Sequence, residues 1–354
     1  MRHTAPHLGR LAAGPRNSIT DVAGVRVGHC TLDQGAVQSG VTVIAPHAGN
    51  PFTHKLPAAV SVINGFGKSV GLMQLQELGV LETPIALTNT FAVGTVATAQ
   101  IRAALADNPE IGRSLPTLNP LVFECNDGYL NDQQAFAVQE SHYHAALAAL
   151  SQDVQQGAVG AGRGMSCFEL KGGIGTASRL ATVVLQGGAA AEYTVGALVL
   201  ANFGKLPDLK IDGVAAGAAL ASMAGNKSLS DPAPEKGSII MILATDAPLD
   251  ARQLGRLATR AAAGLARTGS VYGHGSGDIA LAFSTAQQIE AGAASMQLSL
   301  LQDQVLDPLF YAAADSVEQA ILNALYAAES VSGRDGHRRV GLRELLAAGD
   351  AQGA

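Results

Sequence analysis

Around Gly273 the chain reads GHGSGD, three glycines about one serine, directly ahead of the apolar run IALAFST. A serine hydroxyl is a weak nucleophile until a base takes its proton, so the neighbours of Ser276 decide what it can do. The GxSxG elbow of α/β-hydrolases needs glycine two places either side of the serine, and those places hold His274 and Asp278. The spacing suits a different reaction. If the turn at Gly275 is strained, Ser276 Oγ can attack the Gly275 carbonyl and move the acyl group from nitrogen to oxygen. Glycine leaves that approach open and tolerates unusual dihedrals. Hydrolysis of the ester would expose Ser276 as a new N-terminus, whose α-amine, with an ordinary pKa of about 8, is suited to act as general base. Taken alone, a Gly-Ser-Gly before a strand is more often a plain turn.

The elements that must carry this serine are read from apolar periodicity. Strands are predicted at GVTVIAP from Gly40, at TPIALTNT from Thr83, at LVFEC after Pro120 and at SIIMILAT after Gly237. ATVVLQ and YTVGALVLANFG form a hairpin about Gly187-Gly188. Helices are predicted with Val70, Met73 and Leu78 among the apolar positions of the first, over Thr95 to Leu105, from about Ser141, from a cap at Asp250 to about Arg267, and from about Asp315. Ser222 to Gly237, rich in Pro, Ser, Asp and Lys, reads as an exposed loop. Many strands with several helices give an α/β or α+β layered fold. At 354 residues the chain suits either two domains or one large α/β body.

Composition narrows the function. A net charge of −6 and 4% aromatic residues argue against a nucleic-acid partner, which needs a basic, stacking surface. His337-Arg338-Arg339 reads as solvated surface rather than a phosphate site. Cys30, Cys125 and Cys167 are too widely spaced for a disulfide framework or a zinc site. With no apolar run of membrane or signal-peptide length, a soluble, cytoplasmic protein is expected.

Several long strings together resemble the DmpA-like family of self-processing serine aminopeptidases, which includes the β-peptidyl aminopeptidases. They are NSITDVAGVRVGH, PAAVSVINGFGKSVGLMQLQELGVLETPIALTNT, ECNDGYLND, GMSCFELKGGIGTASR, LVLANFG, SIIMILATDAPL, RTGS and GSGDIALAFST, spread in order from Asn17 to near Gly336. The resemblance implies a single domain, a four-layer α/β/β/α sandwich, cut into an α chain, Met1 to Gly275, and a β chain, Ser276 to Ala354. It implies a tetramer of such heterodimers, release of N-terminal residues from short peptides, amides or esters, and no metal or organic cofactor. Ser276 falls on the family's nucleophile and Asn202 on an oxyanion-hole asparagine. Ser316 and Glu318 match a Ser-x-Glu pair that supports proton handling, and Tyr129 matches a pocket tyrosine. Asp127 and Glu124 are the acids that could hold the substrate's ammonium group. Ornithine acetyltransferases look related and also self-cleave, but they use threonine, so the serine here counts against acyl transfer.

Plainer readings stand beside these. Asp315 to Glu318 is also a good helix-start box. Asn202 could satisfy strand-end backbone groups, and Asp127 and Tyr129 could shape a turn. His274 is not needed by the amine mechanism. His142 and His144 share no helix face, so they form no metal pair. GAGRG and KGGIG lack the strand–GxGxxG–helix context of a dinucleotide site and read as close backbone packing.

Overall fold

The computed structural model describes residues 4–185, 187–223 and 236–353. Most of the loop read at Ser222 to Gly237 lies outside the described residues.

Two sheets stack face to face. The smaller has the order β1 (Arg26–Gln34), β2 (Val37–Ala45), β4 (Ile85–Asn89), β5 (Val122–Cys125). The larger places β3 (His54–Gly65), β9 (Gly275–Ser284), β8 (Lys236–Thr245), β7 (Ala190–Asn202) and β6 (Gly173–Val184) side by side, with two short strands at the β3 edge. Alternation along each strand gives each sheet two apolar faces. Leu198, Leu200, Ile240, Ile242, Ile279 and Leu281 face Ile44, Ile85, Leu87 and Phe123 of the smaller sheet in one core. The opposite set, including Val199, Ile239, Met241, Ala280 and Ala282, packs on α3 (Ala251–Arg267) and α4 (Asp307–Ala327). The outer face of the smaller sheet, with Val41, Val43 and Ala86, is covered by α1 (Val93–Asp107) and α2 (Glu140–Ala148). Three cores between four layers make an α/β/β/α sandwich.

Local chemistry explains the boundaries that matter. Asp250 caps α3 by accepting from Gln253 N at 2.7 Å, while Gln253 Oε1 accepts from Asp250 N, a reciprocal capping box. Strand β8, helix α3 and strand β9 form a parallel crossover unit, so β9 returns to the end of the sheet where β8 began. Two boundaries differ from the sequence reading. α4 starts at Asp307, with Pro308 in its first turn, so Asp315 to Glu318 lies mid-helix and is no start box. β9 starts at Gly275, so the Gly-Ser-Gly run belongs to the strand rather than to a turn before it.

The glycine-rich middle segment is indeed close packing. A Cβ on Gly175 would lie 1.9 Å from the carbonyl oxygen of Ala320, so α4 rests directly on the backbone of β6. Gly175→Ala is therefore expected to cost about 2–3 kcal/mol in urea unfolding. Gly94, exposed on α1 with nothing within 4 Å of its added Cβ, is the opposite case. Gly94→Ala should raise stability by about 0.5–1 kcal/mol in the same assay.

Candidate active site

Ser276 stands at the second residue of β9, between β8 and β3. Its N–H donates to Gly273 O at 2.9 Å, closing a tight turn over Gly273, His274 and Gly275. The Asn64 amide on β3 clamps that turn from the side. Asn64 Nδ2 donates to Gly273 O at 3.0 Å, to His274 O at 3.3 Å and to Ser276 O. Ser276 is 1% exposed, and its Oγ donates to Asp278 Oδ1 at 2.6 Å. The two side chains lie on one face because they are two residues apart on a strand. That hydrogen bond is the arrangement a hydroxyl needs before it can lose its proton.

In the ladder, Ser276 pairs with Gly237, Gly277 with Ser238, and Ser238 with Asn202 at the end of β7. Asn202 and Ser276 thus lie at the same end of the sheet. Their side chains leave it on opposite faces, however. Asn202 follows Leu200 toward the smaller sheet, and Ser276 shares the helix-side face of Ala280 and Ala282. Asn202 Oδ1 accepts from Ser166 N at 2.8 Å, which fixes the amide so that Nδ2 is the donor, here to Asn126 O at 3.0 Å. Beneath this segment the fully buried Lys171 Nζ donates to the carbonyls of Gly162, Met165 and Gly172 at 2.7–2.9 Å. Burial holds its pKa well below the ordinary lysine value.

A cleft of about 610 Å³ opens at this sheet end, lined by Gly275, Asn202, Ser238, Glu124, Tyr129 and Arg339 among others. The cleft touches Gly275 and not Ser276. Glu124 is buried at the wall, where Oε1 accepts from Lys68 N at 2.8 Å and Oε2 from Thr90 Oγ1. Tyr129 is half exposed and stacks on His337 at 4.7 Å. Arg339, read from sequence as solvated surface, instead turns into the cleft and stacks on Tyr129 at 3.7 Å.

Other residues singled out from sequence stand elsewhere. Asp127 is fully buried behind the cleft wall, accepting from Ser39 Oγ at 2.7 Å, Gln133 Nε2 at 2.8 Å and Asn131 Nδ2 at 3.0 Å. Burial pushes its carboxyl up to about 6 against the opposing pull of these three donors. Ser316 and Glu318 sit on α4 in the helix-side layer. Ser316 Oγ donates to Val195 O at 3.0 Å, seven residues along β7 from Asn202. Glu318 pairs with Arg267 at 3.4 Å, and burial raises its pKa while Arg267 lowers it. Among the described residues no hydrogen bond or ion pair joins either of them to Ser276. His274 is exposed on the turn, its ring 6.3 Å from that of Phe66. His142 Nδ1 accepts from Gln139 N as part of a helix cap. Sequence reasoning missed Asn64 and Asp278 as partners of the serine. Both lay in quoted strings, NGFG and GSGD, and Asp278 counted only as the residue that broke the elbow pattern.

Two stacked sheets between helical layers, with a serine opening a central strand beside a cleft, define the Ntn-hydrolase class of fold. The family model described as "Peptidase family S58" matches residues 17–339, and the chain belongs to that family. It is 39% identical over 345 residues, 92% of this chain and 85% of the relative, to the β-peptidyl aminopeptidase BapA of Sphingosinicella microcystinivorans. Among solved structures, the PH0078 protein of Pyrococcus horikoshii OT3 superposes with a TM-score of 0.89 at 47% identity, over 98% of this chain and 97% of that one. The L-aminopeptidase D-Ala-esterase/amidase of Ochrobactrum anthropi gives 0.87 at 36% identity over the same shares, and is described as a variant of the Ntn hydrolase fold.

Asp127 generates a pH-dependent prediction. An ordinary aspartate releases its proton near 3.8, whereas folded Asp127 holds it to about 6, so folding takes up a proton between these values. Its contribution therefore favours the folded state at low pH and is lost as pH rises through that window. Asp127→Asn keeps the shape without the charge. The stability of the variant relative to the parent should improve by up to about 3 kcal/mol between about pH 4 and pH 7 in urea unfolding.

Proposed function

We propose that this chain cuts its own backbone between Gly275 and Ser276 and then works as an aminopeptidase with Ser276 as nucleophile. The observation that carries the reading is the Ser276 Oγ to Asp278 Oδ1 hydrogen bond, 2.6 Å long, one atom group away from a peptide bond held in a clamped turn. Before cleavage no free amine exists at Ser276, so another base must start the reaction. Asp278 accepts the hydroxyl proton as Oγ attacks the Gly275 carbonyl carbon. It returns that proton to the Ser276 nitrogen as the C–N bond breaks. Water then hydrolyses the ester, leaving a carboxylate on Gly275 and a free amine on Ser276.

Cutting also supplies a reason for the hydroxyl to reach the cleft. Cutting breaks the covalent link from Ser276 N to the Gly275 carbonyl carbon, which frees the first residue of the new chain to turn toward the lining of Gly275 and Asn202. In the cut enzyme the α-amine of Ser276 serves as base, Asn202 Nδ2 donates to the oxyanion, and Glu124 holds the substrate's ammonium group beside the wall made by Tyr129. Ser316 and Glu318, the pair the resemblance assigns to proton handling, stand in the helix-side layer, with Ser316 on Val195 O seven residues along β7 from Asn202, so their part is to seat α4 on the sheet rather than to touch the freed amine. Asp127, behind the wall, supports the binding segment through Asn131 and Gln133 rather than touching substrate.

The substrates are short peptides and amino-acid amides or esters, in keeping with the β-peptidyl and L-amino activities named for the relatives. The β chain stays attached, because β9 is paired along its length with β3 on one side and β8 on the other. The heterodimers assemble as tetramers, as the family resemblance implies. Among the described residues no helix is long and apolar enough to cross a membrane, and the cysteines are free thiols. A reducing, cytoplasmic setting fits those thiols.

Ser276→Ala should remain one uncut chain on denaturing electrophoresis and should not hydrolyse aminoacyl p-nitroanilides; a variant that still split at 275/276 would end this reading. Asn202→Ala should lower kcat by about 10²–10³-fold, the usual effect of losing one oxyanion donor.

A further inference from the structure

The cleft is lined by more cations than anions, and those cations have no part in the chemistry above. Lys68, Lys205 and Arg339 line it against Glu124 and Glu169. Glu124 lies near the clamped turn, beside Lys68 N and Thr90. Arg339 is linked to Asn202 by a short relay. Its Nε donates to Ser166 Oγ at 3.1 Å, and Ser166 N donates to the oxygen of the Asn202 amide at 2.8 Å. The guanidinium plane is fixed as well as its position. Its Cζ stands 3.7 Å over the ring of Tyr129, which stacks on His337, and His337 Nδ1 is bonded to the Tyr129 carbonyl oxygen at 2.8 Å.

Such packing uses the face and one edge of the guanidinium. Among the described residues neither Nη atom donates a hydrogen bond, and no ion pair forms between Arg339 and Glu169, whose Oε2 accepts from Leu206 N at 3.3 Å. Burial pushes the guanidinium pKa down from its ordinary value against the pull of Tyr129 and of the Glu169 carboxylate, so a partly desolvated cation is held there with no ion pair on its Nη atoms among the described residues. Its two-pronged edge matches the geometry of a carboxylate.

We infer that Arg339 binds the C-terminal carboxylate of the leaving portion, so that the cleft selects short peptides with a free carboxyl end. This rests on the aminopeptidase reading. With the substrate's ammonium group at Glu124 and its scissile carbonyl beside Asn202 and Gly275, the leaving residue runs toward Arg339. The reach is short, so dipeptides and tripeptides fit, and longer chains place their carboxylate out of range. The Tyr129 ring, braced from His337, keeps the guanidinium from swinging away when the site is empty.

The test compares processed wild-type protein with Arg339→Gln and Arg339→Lys. Each is assayed for release of the N-terminal residue from a dipeptide, from the same dipeptide ending in a carboxamide, and from the matching aminoacyl p-nitroanilide, in L-alanyl and β-alanyl series. Wild type should prefer the free acid to the carboxamide by at least roughly tenfold in kcat/KM, chiefly through KM. Arg339→Gln should bring that ratio close to one, and Arg339→Lys should keep part of it. A wild-type enzyme indifferent to the carboxyl end, or a ratio unchanged in Arg339→Gln, overturns the inference. If processed wild type leaves even the p-nitroanilides intact, the aminopeptidase reading itself fails, and the two failures are thereby told apart.

Discussion

The pairing of β9 on both sides is the constraint on which the site depends. Antiparallel β3 and parallel β8 hold the strand from Gly277 to Phe283, so its first residues cannot drift. β3 also supplies Asn64, whose amide binds carbonyls on both sides of the Gly275–Ser276 bond. β8 supplies the register that brings Asn202, through Ser238, to the same end of the sheet as Ser276. A parallel neighbour requires a crossover, and α3 provides it, with its Asp250 cap at one end and the Gly273 turn just beyond the other. The helix layer is therefore part of how the serine is presented.

That constraint also separates two states of one residue. In the unbroken chain Ser276 faces the helix side and gives its proton to Asp278, while Asn202 faces the other way into the inter-sheet layer. The cleft is lined by Gly275, while the neighbouring Ser276 is 1% exposed. The hydrogen bond from Ser276 N to Gly273 O at 2.9 Å holds the turn against the start of the strand.

Much of the architecture was legible in the sequence. The hairpin about Gly187-Gly188, the Asp250 cap and the apolar strands after Gly237 and Pro120 all follow from local pattern. The start of α4 was misplaced because Asp315-Ser-Val-Glu318 satisfies a local capping rule, while tertiary packing on β6 and β7 extends the helix two turns earlier. Arg339 was misread for a related reason. A run of basic residues looks solvated by composition, and only the stacking of Tyr129 and His337, about 200 residues away in sequence from each other, turns one of the three inward. Asn64 carried no spacing signal, since its role depends on a cross-strand register that periodicity does not encode, whereas Asp278, two residues from Ser276, was hidden by the expectation of a turn where the strand already runs.

The most direct measurement is the intact mass of purified, fully active protein under denaturing conditions. The account predicts two species, one ending at Gly275 and one beginning at Ser276, whose masses together exceed the uncut chain by one water. A preparation with full aminopeptidase activity and a single species at the mass of the whole chain would contradict it.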